Sequence, residues 1–311
     1  MKKLSIGQIS DYEVKQLKVF KAVVECEGFS AAAAELNISR PTVSNHISSL
    51  ESRLNMNLCK RGRSGFSLTE EGVIVYEQTK LLLNQMDQFR NIINNLSDSP
   101  AGKLSIALSD TFSTDSRCQI PRIIQSFCRK APNVDLRLEV EHMRDMERKI
   151  LNDEIDLAFI PYHRKLEGIN YIHLFTDTNY LYCGKSHPFY DLEEKDISIE
   201  MINSAKLIHA GLQPHEDVYL NLSSMNLAGC SYHYESRIAL LLSGEFICFL
   251  PEEVAAPYVK TGEFKAIGKE QKKFDLGAAV IYKQSFKPNK AKNLFIRTIN
   301  DIFSNSSQAP Y

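Results

Sequence analysis

Between residues 29 and 69 the spacing of apolar positions changes three times, and each change marks an element. Phe29-Ser-Ala-Ala-Ala-Ala-Glu-Leu36 predicts a short helix with Ser30 as its N-cap. The small alanine side chains there let a second helix approach closely. Asn37 to Ser39 make a turn, Ser39 or Arg40 caps the next helix, and Pro41 falls in its first turn, where a missing N–H costs little. Val43, Ile47, Leu50 and Leu54 then recur at i, i+4, i+7 and i+11, which gives that helix one inward stripe. From Leu58 to Thr69 the pattern becomes two short strands around a Gly62-Arg-Ser-Gly65 tip, a hairpin following a helix-turn-helix.

From Thr69 to Leu96 the pattern is helical again. Thr69 is a cap, Glu70 and Glu71 suit a helix N-terminus, and no proline interrupts before Pro100. Val75, Thr79, Leu82, Met86, Phe89, Ile93 and Leu96 alternate steps of four and three, a heptad seam that predicts pairing with a second copy. Ser97 to Gly102 is a short polar hinge. Beyond it, strands are expected at Leu104–Leu108, Val134–Val140, Leu157–Ile160, Tyr180–Cys183, Leu207–His209, Phe246–Leu250 and Gly277–Tyr282. Helices are expected at Pro121–Lys130, Met143–Asn152, Glu235–Ser243, Glu252–Tyr258 and Lys290–Phe303. Such alternation predicts an α/β domain.

The outward face of the helix beginning near Arg40 presents Pro41, Ser44, Asn45 and Ser48, flanked by Arg40 and Thr42. These side chains are small or hydrogen-bonding, whereas a merely solvated face would usually carry Glu–Lys pairs. A face of this kind fits a major groove about 12 Å wide and offers donors and acceptors to base edges. The hairpin adds Lys60, Arg61 and Arg63. From Arg40 to Gly65 five basic residues stand against the single acid Glu51, in a chain whose formal net charge is only −1. Localised positive charge of this sort suits phosphate contact, and the expected contacts to double-stranded DNA are Ser30, Ser39, Arg40, Pro41, Thr42, Ser44, Asn45, Ser48, Lys60, Arg61 and Arg63.

Ala33, Leu36, Ser39, Val43, Ser44, Ile47, Leu50, Glu51, Leu54, Leu58, Arg61, Arg63, Leu68, Thr69 and Gly72 resemble the winged helix-turn-helix signature of LysR-type transcriptional regulators. The likeness continues through Gly102-Lys-Leu-Ser-Ile-Ala, Ile155-Asp-Leu-Ala-Phe159 and Gly244-Glu-Phe-Ile-Cys-Phe-Leu-Pro251, so it spans nearly the whole chain. It departs at Arg40-Pro41, where Gln-Pro is common, and at Phe246, which replaces a glycine. The resemblance implies an α + α/β architecture. Residues 1–69 form the winged domain, 70–98 the linker and dimerisation helix, and 99–311 an effector-binding domain. That last domain has two Rossmann-like lobes, lobe I at about 101–175 and 271–304 and lobe II at about 176–270. A small ligand would bind in the crevice at the carboxyl ends of the strands.

For that crevice the resemblance implies Ser109, Asp110 and Thr111 after the first strand, Pro161, Tyr162 and His163 after the Asp156-Leu-Ala-Phe159 strand, His209, and Phe246 opposite. The hydroxyls and the N–H groups of a helix following Ser109 can hold an anion, while Asp110 suits a cationic group. The implied effector is therefore a small carboxylate or amine. The family also implies a homodimer or homotetramer, and admits contact with RNA polymerase.

Length and composition narrow the remaining classes. A chain of 311 residues suits a small domain plus a larger one. The N-terminus lacks an apolar signal core and no run approaches the roughly 18–20 apolar residues that span a bilayer, so a cytoplasmic protein without a membrane partner is expected. Seven scattered cysteines without a C-x-x-C predict free thiols and no metal site. No nucleophile-elbow, zincin, P-loop or clean dinucleotide motif is present, so neither an enzyme nor a cofactor is expected. An architectural DNA-binding protein is the rival reading, but one leaves a 200-residue α/β domain without a purpose.

Overall fold

The computed structural model describes residues 8–62, 65–94, 99–162, 164–211, 219, 222–284 and 289–306. Two compact units divide the chain, Met1–Ile93 and Asn94–Tyr311.

The first unit begins with α1 (Asp11–Glu25), started by a capping box in which Ser10 and Glu13 satisfy each other's backbone N–H groups. α2 (Phe29–Glu35) and α3 (Arg40–Leu54) follow. The turn between them passes through Asn37 at φ 51°, a left-handed conformation that asparagine tolerates better than most residues. Ser30 does not cap α2: Gly28 holds that position without a side-chain bond, and Ser30 lies inside the helix with its side chain exposed. Ser39 does cap α3, its hydroxyl accepting the Thr42 N–H at 3.2 Å. Val43, Ile47 and Leu50 point inward as their spacing requires, meeting Val19, Phe20 and Val23 of α1 and Ala32 and Ala33 of α2. Each fully buried aliphatic side chain stabilises this small core by about 1.5–3 kcal/mol. The hairpin is β1 (Cys59–Gly62) paired antiparallel with β2 (Gly65–Leu68), and α4 (Glu70–Asn94) continues from it with the Thr69 hydroxyl accepting the Gly72 N–H at 2.9 Å.

The second unit is organised on one sheet, nine-stranded among the described residues. Its strands are β3 (Gly102–Leu108), β4 (Val134–Val140), β5 (Leu157–Tyr162), β6 (Ile169–Gly184), β7 (Lys206–His209), β8 (Asn226–Cys230), β9 (Ile247–Pro251), β10 (Phe264–Ile267) and β11 (Lys273–Lys283). They run in the order β4-β3-β5-β11-β6-β9-β7-β8, with β10 beside β6. Helices α5 (Ile120–Lys130), α6 (Met143–Leu151), α7 (Ile199–Ser204), α8 (Tyr234–Leu242), α9 (Glu252–Lys260) and α10 (Lys290–Ser306) cover its faces. β3, β4 and β5 are parallel at one end, and β7, β8 and β9 are parallel at the other. The long antiparallel pair β6–β11 joins the two halves over eleven residue pairs, with a register shift at Ala278/Ala279.

Each half has a core on both faces of its sheet. Leu104, Ile106, Leu108, Phe127 and Phe295 form one cluster of the first half, and Ala107, Met146, Ile150 and Ile160 form the other. Leu181, Cys183, Leu207 and Ile247, and then Tyr182, Leu241, Leu250 and Phe264, do the same in the second half. Strands buried on both faces are continuously apolar, as Leu157–Ile160 and Ile247–Leu250 are.

Candidate functional site

On α3 the side chains of Arg40, Pro41, Thr42, Asn45 and Ser48 are exposed and that of Ser44 is half-buried. The helix therefore keeps a polar, uncrowded face opposite its buried stripe. Thr42 and Ser39 share a hydroxyl–hydroxyl hydrogen bond of 2.8 Å, so both are committed to the N-cap. Arg53 is turned away from this face, pairing with Glu13 at 3.1 Å and donating to the Gln8 carbonyl at 2.7 Å. One of the five local basic charges thus serves helix packing.

The base of the hairpin is tied to α3 by Glu51. Its carboxylate accepts the N–H groups of Leu58 at 2.8 Å and Cys59 at 3.2 Å, both in buried residues. Thr69 closes the other strand by donating to the Asn57 carbonyl at 2.7 Å. Gly72 completes the joint, because a Cβ there would lie 2.1 Å from the Leu58 carbonyl oxygen. The single acid of the basic stretch is thereby a structural anchor. Lys60 on β1 is exposed.

In the second unit, the carboxyl ends of β3 and β7 meet the segment Ser231–His233, which links β8 to α8. Ser109, 3 % exposed, lies 3.4 Å from the Tyr232 hydroxyl. The Tyr232 oxygen also accepts the Met143 N–H at 2.9 Å, and its ring stacks on His142 with centroids 3.6 Å apart. The buried Asp110 carboxylate accepts the Tyr234 N–H at 3.0 Å and lies 3.3 Å from His233 Nδ1. Burial pushes the Asp110 carboxyl above the usual carboxylate range, and it raises the Tyr232 phenol likewise. Asp110, His233 and Glu235 bring potential ligand atoms within 4.8 Å of one another. Behind the segment, buried Arg237 donates to the Tyr232 and Phe249 carbonyls at 3.1 Å each and lies over the Tyr234 ring.

Deeper, where β6 and β11 cross between halves, a cavity of about 20 Å³ is lined by Phe112, Asp115, Pro161, Asp177, Asn179 and Tyr234 among others. That volume holds roughly one water molecule. Arg117 bridges Asp115 and Asp177 at 2.7 Å each and lies over the Phe175 ring. Asn179 is buried, and its side-chain nitrogen has no hydrogen-bond partner among the described residues.

Residues 14–73 match the model of the bacterial regulatory helix-turn-helix protein, lysR family, and residues 97–304 match that of the LysR substrate binding domain. The chain belongs to the LysR family of transcriptional regulators. As a LysR-type regulator it joins a DNA-binding winged helix-turn-helix to an effector-binding domain. It is 28 % identical over 295 residues to the HTH-type transcriptional activator BauR of Pseudomonas aeruginosa, covering 95 % of this chain and 97 % of that one. It is 31 % identical over 157 residues to the regulator CzcR of Bacillus thuringiensis, half of each chain. Its fold is that of full-length CbnR, solved with its target DNA, at a TM-score of 0.63 and 19 % identity over 93 % of this chain and 99 % of that one. The probable regulator PA0477 of Pseudomonas aeruginosa gives 0.64 at 16 % identity, over 93 % and 96 %. No helix among the described residues is long and apolar enough to cross a membrane.

Seen as a LysR-family crevice, the site gathers some of the expected residues and disperses others. Ser109 and Asp110 lie in it, Pro161 lines the cavity, and His209 ends β7 with its carbonyl accepting the Ser231 N–H at 2.9 Å. Tyr162 packs instead beside Tyr171 and bonds His173 at 3.1 Å. Phe246 does not face the crevice as expected: it precedes β9, at the amino end of the parallel strands beside Lys206, the far end from the crevice. The anion seat expected from a helix following Ser109 is absent: Asp110–Ser113 is a single 3-10 turn, and the N–H that faces Ser109's partner belongs to α6. Thr111 begins that turn's second position, while Arg63, His163 and Leu96 lie outside the described residues. Tyr232, His142, Asp177 and Asn179 were not expected from the sequence. Their roles arise from contacts more than 50 residues apart, for which no local pattern is a signal.

Proposed function

We propose that α3 reads base edges in the major groove through Arg40, Asn45 and Ser48, with Pro41 and Ser44 against the groove wall and the Ser39–Thr42 cap and Ser30 beside the phosphates. Lys60, Arg61 and Arg63 add phosphate contact. The observation that carries this reading is the exposed face of α3, polar and free of bulky apolar side chains, on a helix fixed by a fully buried opposite stripe. Residues 1–69 act as the reading head, 70–98 as the linker and 99–311 as the sensor.

Two heads are held by pairing of α4. Val75 packs on the core of its own head, while Phe89 and Ile93 farther along the seam stay 66 % and 48 % exposed, which favours a partner helix. The effector enters the crevice between the strand ends, where Ser109, Asp110 and His209 converge. It is a small carboxylate or amine, the buried Asp110 carboxylate favouring a group with a cationic end. Its binding shifts the relation of the two halves and, through it, the spacing of the heads on the promoter and the access of RNA polymerase. The protein acts in the cytoplasm. Footprinting of the purified full-length protein on its promoter, with and without candidate metabolites, tests this. A response to one small acid or amine that vanishes in Asp110→Asn supports it, and indifference to all of them removes the sensor.

A further inference from the structure

We infer that Tyr232 is an internal ligand that latches the crevice shut, and that whatever occupies the crevice must displace its phenol. The inference rests on the crevice being the effector site. Tyr232 belongs to the half built from β7, β8 and β9, yet both polar contacts of its hydroxyl lie in the other half. One is Ser109 at the end of β3 and the other is the Met143 N–H in the first turn of α6. First-turn amides have no acceptor inside their own helix, so this N–H needs an external oxygen, and the phenol supplies it.

Three further contacts hold Tyr232, His233 and Tyr234 against the same half: the Tyr232 ring on His142, His233 beside Asp110, and the Tyr234 N–H on the Asp110 carboxylate. On its own side the link is braced by Arg237 through the Tyr232 carbonyl and by His209 through the Ser231 N–H. At Tyr232 the brace holds the backbone, and the latch is the side chain. Swinging one phenol away therefore frees the Ser109 hydroxyl and the Met143 N–H without unfolding any element. A displacing compound must bring an oxygen acceptor to that position, and a charged one accepts more strongly than the phenol it replaces.

The test uses the full-length protein and its variants Tyr232→Phe and Tyr232→Ala, with amide hydrogen exchange at Met143 and DNA footprinting, no small molecule added. Loss of one neutral hydrogen bond predicts about five-fold faster exchange at Met143 in Tyr232→Phe, and loss of the ring more in Tyr232→Ala. Exchange at Phe159 and Ile281, within paired strands, stays unchanged and shows that both variants are folded. The latch is overturned if Met143 exchanges at the wild-type rate in both variants, and the crevice reading then stands untouched. If exchange rises as expected, the footprint changes as well; faster exchange with an unaltered footprint upholds the latch and instead refutes the coupling of the crevice to DNA.

Discussion

Glu51 offers the sharpest perturbation of the reading head. Its carboxylate is the acceptor for the Leu58 and Cys59 N–H groups, and neither residue is accessible enough for water to replace it. Glu51→Ala removes the carboxylate from two buried N–H groups and leaves that of Leu58 without its acceptor. A hydrogen bond to a charged group is worth about 1.5–3 kcal/mol and an orphaned donor costs about 1–3 kcal/mol, so allowing for partial relaxation the substitution should destabilise the first unit by about 2–4 kcal/mol. Glu51→Gln keeps an amide oxygen in the same place and should lose about 1 kcal/mol. Global melting would mix two units, so native-state amide exchange in the intact chain is the better assay. Protection at Phe20, Ile47 and Leu50 should fall by about 30- to 1,000-fold in the Ala variant and by about five-fold in the Gln variant. The hairpin would also lose its fixed position, and the salt dependence of DNA binding should become shallower as Lys60 and Arg61 leave the phosphates. Wild-type protection in Glu51→Ala would refute the anchoring role.

Other consequences can be measured independently. Asn45→Ala should weaken binding to a specific operator by about 1–3 kcal/mol while sparing random DNA, whereas Lys60→Ala should weaken both alike and reduce the salt slope by about one; competition assays at several salt concentrations separate them. Asp110 has a raised pKa in the folded protein, so between its unfolded and folded values only the folded state holds the proton. Its contribution is present below the unfolded pKa and is lost as pH rises through the folded one, so the second unit should gain stability on mild acidification. Urea titrations should find that gain reduced in Asp110→Asn, with the part due to Asp156 and Glu147, which burial shifts the same way, retained. Arg117→Ala should destabilise the second unit by about 2–3 kcal/mol, between the exposed and fully buried limits, because Asp115 and Asp177 are left facing each other. Restoration by an added guanidinium salt would support that cause, and an unchanged urea midpoint would dismiss it.

What was legible in the chain was local. The inward stripe of α3, the Ser39 cap, Pro41, the hairpin and the Thr69 cap all follow from spacings within a few residues, and they stand where that spacing puts them. The parallel strands at Leu157–Ile160 and Ile247–Leu250 were visible because burial on both faces makes them continuously apolar. β6 was not: only its last residues were expected as strand, since Ile169–Asn179 mixes polar side chains along a half-covered stretch. The strands β8 and β10 escaped for a similar reason, being short and, in β8, largely exposed. Phe246 was carried over from the resemblance although it begins its expected strand, and a residue there lies at the amino end, away from a crevice built on carboxyl ends. The Tyr232 contacts were invisible, as they depend on two halves of a domain meeting across 89 and 123 residues.

The central claim is that α3 and its hairpin read particular promoters rather than coat DNA. The most direct test is selection of genomic fragments by the purified full-length protein at near-physiological salt, followed by sequencing and salt titration of the best fragment. The account predicts a few intergenic sites carrying an interrupted dyad, with affinity falling steeply as salt rises and with Asn45→Ala abolishing the enrichment. Uniform recovery of fragments, with the Asn45→Ala variant indistinguishable from wild type, would contradict it.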